Sequence, residues 1–263
     1  MYDRVYLYLT NKCNKNCDYC YQKDHNINYN KKIEYNKIIE FLKTTCPKQT
    51  VLFGGEPTLK SDLIKKLIKE FKETEYIVTT NGFLLDNIID IVKDNIFVQF
   101  SVNSVEDIKF YNNDHIFYHM TISSENIKNV VPIFQTIKFN NKRIWFSFDR
   151  TLSEDISSEV EKLLKYHILN GSTMRKSKYS RIVGKECFGL YGKQKVLNCI
   201  TGEEHLCTHL MYNGEKDNSL LECIKDCENK FCEICPCTNI TKNKEYLCKI
   251  YKMIEMHIKK TPH

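Results

Sequence analysis

Alanine does not occur in this 263-residue chain, and tryptophan occurs once. Lys, Asn and Ile are abundant instead, the bias an AT-rich genome imposes, so the formal charge of +6 says little about partners. A strong basic block is also missing. The lysines are spread along helical faces, which argues for a solvated surface and against a nucleic-acid partner. No apolar run approaches the roughly 20 residues that a membrane span needs, and the first residues carry a strand pattern in place of a signal peptide. These absences set the expectation of a cytoplasmic protein without a membrane partner. Reducing cytosol disfavours disulfides, so 13 cysteines argue for metal or redox chemistry. At 42% hydrophobic residues, a chain of this length can bury a real core, as one large domain or one domain plus a small one.

Strand-like and helix-like runs alternate, an order that calls for parallel strands joined by crossover helices. The pattern predicts strands over 4–10, 50–53, 76–80, 96–102, 116–122 and 144–149, and helices over 32–44, 60–73, 84–93, 125–139 and 155–169. Between the fourth and fifth strands lie only about 13 residues, against the 10 to 12 plus turns of a full crossover, so one or two turns or a loop is expected there. The pattern breaks near Gly171. A basic stretch, Ser172 to Arg181, leads into a cysteine-rich tail, dividing the chain into residues 1–171 and 172–263. Lone Cys46, ahead of Pro47, is expected to be a buried apolar residue.

Cys13, Cys17 and Cys20 stand in C-x3-C-x2-C spacing directly after the first strand. Three thiolates on one short loop can hold three irons of a [4Fe-4S] cluster and leave the fourth iron open to a small ligand. Gly54-Gly55-Glu56-Pro57 ends the run Val51-Leu52-Phe53 and precedes an amphipathic helix, a strand-loop-helix context in which glycines let bare backbone approach a ligand. The two motifs together resemble the radical SAM enzymes. The resemblance implies a partial (β/α)6 barrel with ligands at the C-terminal strand ends. It also implies a cluster on Cys13, Cys17 and Cys20, and S-adenosylmethionine (SAM) bound near the Tyr19, Gly54, Gly55, Glu56, Asn81 and Ser101 positions. Thr80-Asn81-Gly82 is similar to the family's Thr-Asn-Gly segment, and Ser101 matches a family serine. Ser101-Val102-Asn103-Ser104 lacks the usual Asp and Gly after that serine. Asp149 and Arg150, ending the sixth strand, are the catalytic candidates facing the substrate cavity, with a surface ion pair as the alternative.

The tail carries Cys187, Cys199, Cys207, Cys223, Cys227, Cys232, Cys235, Cys237 and Cys248. Cys187, Gly202 and Cys207 resemble the C-x(9-15)-G-x4-C opening of SPASM domains, small iron-sulfur modules of peptide-modifying radical SAM enzymes, in which the glycine allows a hairpin. The resemblance implies one or two auxiliary [4Fe-4S] clusters. The later spacings depart from the family, and Cys232-x2-Cys235 also fits a zinc knuckle.

What the resemblance implies is reductive cleavage of SAM to a 5'-deoxyadenosyl radical, and hydrogen abstraction from a peptide or protein side chain that leads to crosslinking or oxidation. Implied partners are the peptide or protein substrate, a reductant such as flavodoxin or ferredoxin, and a separate leader-binding protein, because the first strand begins too early to leave room for a built-in leader-binding domain. Thr208 stands where sulfatase maturases carry an aspartate, which lowers that assignment. The alternatives are a glycyl-radical enzyme activase and an RNA- or nucleotide-modifying enzyme.

Overall fold

The computed structural model describes residues 2–17, 19–20, 34–149, 154–166, 168–169, 194–206, 208, 211, 246, 249–250, 253–254 and 256–257. The chain divides into two compact units. The first comprises Met1–Ser101, Lys109–Phe117 and Phe188–Asp217, and the second Val102–Ile108, Tyr118–Cys187 and Asn218–His263.

The first unit is built on strands β1 (Arg4–Tyr8), β2 (Gln49–Phe53), β3 (Glu75–Thr80) and β4 (Ile96–Ser101), with helices α1 (Tyr35–Thr45) and α2 (Ser61–Glu70) in the connections. β1 to β4 are parallel neighbours, Arg4 opposite Gln49, Gln49 opposite Glu75 and Tyr76 opposite Ile96. In β2 the run Thr50–Phe53 is buried throughout, as expected of a parallel strand covered on both faces. Each helix turns an apolar stripe inward: Ile38, Phe41 and Leu42 on α1, Ile64 and Leu67 on α2. The Tyr76 hydroxyl donates to the Leu67 carbonyl (3.2 Å), so Tyr76 and its register partner Thr50 face α2. The opposite face of the sheet therefore carries Tyr6, Tyr8, Val51, Phe53, Ile77 and Val196, which pack together. The Phe53 ring meets Tyr6 and Tyr8 edge-on at 5.8 and 5.5 Å.

In the second unit, β5 (Ile116–Ile122), whose first residues belong to the first unit, pairs in parallel with β6 (Ile144–Phe148), Tyr118 opposite Ile144. Helices α3 (Val130–Phe139) and α4 (Ser157–Lys165) bury Val130, Ile133 and Ile137, and Val160, Leu163 and Leu164, respectively. The short link before β5 holds a single 3-10 turn, Val105–Asp107, as its length requires.

The six expected strands all form, and the α/β class with parallel pairing stands. The helix expected over 84–93 does not. Two 3-10 turns, Leu85–Asn87 and Ile89–Ile91, replace it. Asp86, Asn87 and Asp90 interrupt the apolar run with side chains that disfavour helix interiors. Cys46 is exposed, correcting the expectation of burial. It ends α1 in the left-handed conformation (φ 43°), donating its N–H to the Leu42 carbonyl at 2.9 Å.

Two strands have no counterpart in the sequence pattern. β7 (Gln194–Asn198) lies parallel to β1 on the edge away from β2, and β8 (Glu203–His205) folds back antiparallel on β7. Gly202 turns this hairpin at φ 75°. Among the described residues, no helix is long and apolar enough to cross a membrane.

Candidate active site

Parallel pairing places the C-terminal ends of β1 to β4 along one edge of the first unit, where Cys13, Gly54-Gly55-Glu56, Asn81 and Ser101 collect. Beyond β1 the chain keeps running beside the segment after β2. Leu9 N–H donates to the Phe53 carbonyl (2.8 Å), Gly55 N–H to the Thr10 carbonyl (2.6 Å) and Glu56 N–H to the Lys12 carbonyl (2.8 Å). This contact leaves no space for side chains at the glycines. A Cβ on Gly54 would stand 2.4 Å from the Thr10 carbonyl oxygen, and one on Gly55 2.3 Å from that of Lys12. Gly54 also has φ 151°. Both glycines thus fix the approach of the Gly-Gly-Glu-Pro segment to the cysteine loop.

The loop carries Cys13 exposed and Cys17 and Cys20 half-buried, none of the three in a disulfide. Cys20 N–H closes a turn onto the Cys17 carbonyl (3.1 Å), with half-buried Tyr19 inside it. The Cys13 sulfur accepts from Lys15 N–H (3.4 Å) and from the Asn81 amide (3.7 Å). Three thiols on one loop, with N–H groups already directed at the first, suit a cluster held through thiolates. Among the described residues, no three His, Cys, Asp or Glu side chains are gathered tightly enough to hold a single metal ion.

Glu56 is fully buried, and its carboxylate accepts hydrogen bonds from both sides. Oε1 accepts from Thr58 N–H (3.0 Å), the Thr58 hydroxyl (2.6 Å) and the Thr80 hydroxyl (2.7 Å), while Oε2 accepts from Asn81 N–H (2.8 Å). The carboxylate therefore ties the end of β2 to the end of β3. Glu56→Gln places an NH2 group against donors, and the resulting loss of a charge-assisted bond is expected to cost about 1–3 kcal/mol. An unchanged urea midpoint would show that this clip carries no stability.

Gly82 follows with φ 82°, its space closed by the buried Phe100 ring 2.2 Å from a Cβ. Ser101 ends β4 half-buried, on the same face as Gln99 and Phe97. The residues directly after Ser101 belong to the second unit. Asp107 accepts from Asn103 and Ser104 N–H (2.9 and 3.2 Å), while Asn129 donates to the Asn103 carbonyl (2.8 Å).

In the second unit Asp149 follows β6, half-buried, its N–H bonded to the Ile122 carbonyl (2.7 Å). Arg150 lies outside the described residues. Sequence reasoning missed His119, buried on β5 with Nε2 3.0 Å from the Ser147 hydroxyl on β6. Phe146 meets Phe134 of α3 (6.4 Å), so alternation puts His119 and Ser147 on the strand face turned from that helix. An imidazole beside a hydroxyl there can accept or pass a proton. Its one sequence signal is a histidine within the apolar run Ile116–Ile122.

Of the tail cysteines, Cys199 alone is described. It is buried behind β7 with its N–H on the Tyr8 carbonyl (3.1 Å), and burial pushes its thiol pKa upward, which favours the neutral thiol. Cys187, Cys207, Cys223, Cys227, Cys232, Cys235, Cys237 and Cys248 lie outside the described residues.

A probable GTP 3',8-cyclase of Methanocaldococcus jannaschii is 34% identical over 91 residues, 33% of this chain and 30% of that protein. The radical SAM cyclopropyl synthase TigE of Paramaledivibacter caminithermalis is 29% identical over 181 residues, 57% of this chain and 35% of that protein. The chain thus spans about a third of the length of these curated relatives. Streptococcus suis SuiB bound to S-adenosylmethionine shares the fold at a TM-score of 0.60 and 12% identity, over 82% of this chain and 62% of SuiB. The structure of anSMEcpe with bound AdoMet and Cp18Cys peptide does so at 0.56 and 15%, over 96% and 95%. Residues 7–165, more than half of the chain, match the Radical SAM superfamily, and the chain belongs to it.

Proposed function

We propose that this radical SAM enzyme modifies a peptide or protein side chain by hydrogen abstraction, ending in a crosslink or an oxidation. The observation that carries the reading is the similarity to the cyclopropyl synthase TigE, which runs over 181 residues where the cyclase similarity covers 91. The fold likeness to SuiB and anSMEcpe, both solved with peptides bound, is compatible with it. In this reading Cys13, Cys17 and Cys20 hold the first cluster, and SAM lies along the edge bearing Tyr19, Gly54, Gly55, Asn81 and Ser101. When bound, the cluster supplies one electron and SAM the group that removes a substrate hydrogen. Glu56 keeps that edge in register from within the protein, while Asp149 and Arg150 are candidates for handling the substrate proton. Residues 172–263, apart from the β7–β8 hairpin that joins the first unit, supply an auxiliary iron-sulfur domain with one or two clusters on the tail cysteines. A flavodoxin or ferredoxin delivers the electron in the cytoplasm, and a separate protein presents the substrate leader.

A second reading has its own support. Identities of 34% and 35% to GTP 3',8-cyclases favour a nucleotide substrate. The reconstituted enzyme, given SAM and dithionite, separates the two. Short peptides encoded beside the gene are expected to stimulate 5'-deoxyadenosine formation and to return with an altered mass. Stimulation by GTP, with peptides inert, would replace the peptide reading by the nucleotide one.

A further inference from the structure

We propose that Asn81 is a positioning residue for the cluster ligand Cys13, donating a hydrogen bond to its sulfur and thereby raising the reduction potential of the first cluster. The inference rests on the proposed ligand role of Cys13 and is independent of the substrate. Asn81 is the first residue after β3, and three anchors define its orientation. Its N–H donates to buried Glu56 Oε2 (2.8 Å). Its side-chain Oδ1 accepts from Phe83 N–H (3.0 Å), so the amide nitrogen points the other way. That nitrogen has two protons. One goes to Asn14 Oδ1 (2.9 Å) and the other meets the Cys13 sulfur at 3.7 Å.

The connection runs from the buried carboxylate after β2, through Asn81, onto the cysteine loop. Glu56 holds the backbone of Asn81, and the side chain of Asn81 holds the loop at two successive residues, Cys13 and Asn14. Lys15 N–H adds a second donor on the same sulfur (3.4 Å). Donors aimed at a cluster thiolate favour the more negatively charged, reduced cluster, so removing one lowers the potential. A residue that serves SAM alone would leave the potential unchanged.

The test is a potentiometric titration, read by electron paramagnetic resonance, of the anaerobically reconstituted full chain without SAM. The first cluster's signal is the one missing from the Cys13, Cys17 and Cys20 triple alanine variant. In Asn81→Leu the ratio of reduced to oxidised cluster at fixed potential is expected to fall about tenfold, a midpoint shift of about 59 mV for one electron. Asn81→Asp preserves size and the Phe83 contact but sets a carboxylate toward the sulfur, so its midpoint is expected to fall further. It also serves if the leucine variant does not fold. Midpoints equal to wild type in the folded variants, with weakened SAM binding, would overturn the inference and assign Asn81 to the cosubstrate. Persistence of the signal in the triple variant would overturn the ligand assignment together with it.

Discussion

Alanine at Cys13, Cys17 and Cys20 together is expected to abolish formation of 5'-deoxyadenosine while the tail keeps its iron. The three thiols share one loop at the end of β1, Cys13 exposed and Cys17 and Cys20 half-buried, and the Cys13 sulfur already receives two N–H groups. Cys199 lies in the core instead, with its backbone bonded to Tyr8, an environment unlike that of the loop. Product analysis gives the rate, and iron and sulfide analysis gives the remaining clusters. Deoxyadenosine at the wild-type rate in the triple variant would remove these thiols from the active site. Zinc in place of iron in that variant would show the tail to be a zinc module.

Gly55→Val is expected to empty the first cluster site and to weaken SAM binding at least tenfold, about 1.4 kcal/mol. The sequence motif points to a ligand approaching bare backbone. The fold adds a second constraint, because the Cβ direction at Gly55 is occupied by the Lys12 carbonyl oxygen at 2.3 Å and its carbon at 2.7 Å. A backbone neighbour cannot rotate aside as a side chain can, so the valine has to displace the loop that carries Cys13. Iron content and SAM affinity should therefore fall together. A variant with full iron and weak SAM binding would show that the glycine serves the ligand alone, and one unchanged in both would place SAM elsewhere.

Much of the site was legible in the sequence because its signals are local. C-x3-C-x2-C, the Val51-Leu52-Phe53 run with Gly54-Gly55-Glu56-Pro57 behind it, and Thr80-Asn81-Gly82 each occupy adjacent residues, and parallel strands bring their ends to one edge. The contacts between these motifs were not legible. Nothing local to Glu56 says that its carboxylate reaches Thr80 and Asn81, or that Asn81 turns toward Cys13. The turns over 85–91 were read as helix because apolar spacing outweighed the interrupting Asp and Asn residues. β7 was hidden for a different reason: Gln194–Asn198 has a brief apolar centre, and its strand character comes from pairing with the distant Arg4–Tyr8. His119 gives no local sign of its contact, because its partner Ser147 is brought to it by the pairing of β5 with β6.

The pairing of β7 with β1 has a consequence during synthesis. The strand that leads into the cysteine loop leaves the ribosome well before the strand that covers its outer edge, Gln194–Asn198. Through that interval Arg4–Tyr8 offers a row of unpaired N–H and C=O groups, with Val5, Leu7 and Tyr8 beside them, to any other extended chain nearby. A chain interrupted before residue 194 keeps that edge open permanently. Such truncations should aggregate even though the C-x3-C-x2-C and Gly-Gly-Glu-Pro motifs are intact, and polar substitutions at Val196 or Leu197 should reproduce the defect in the full-length protein.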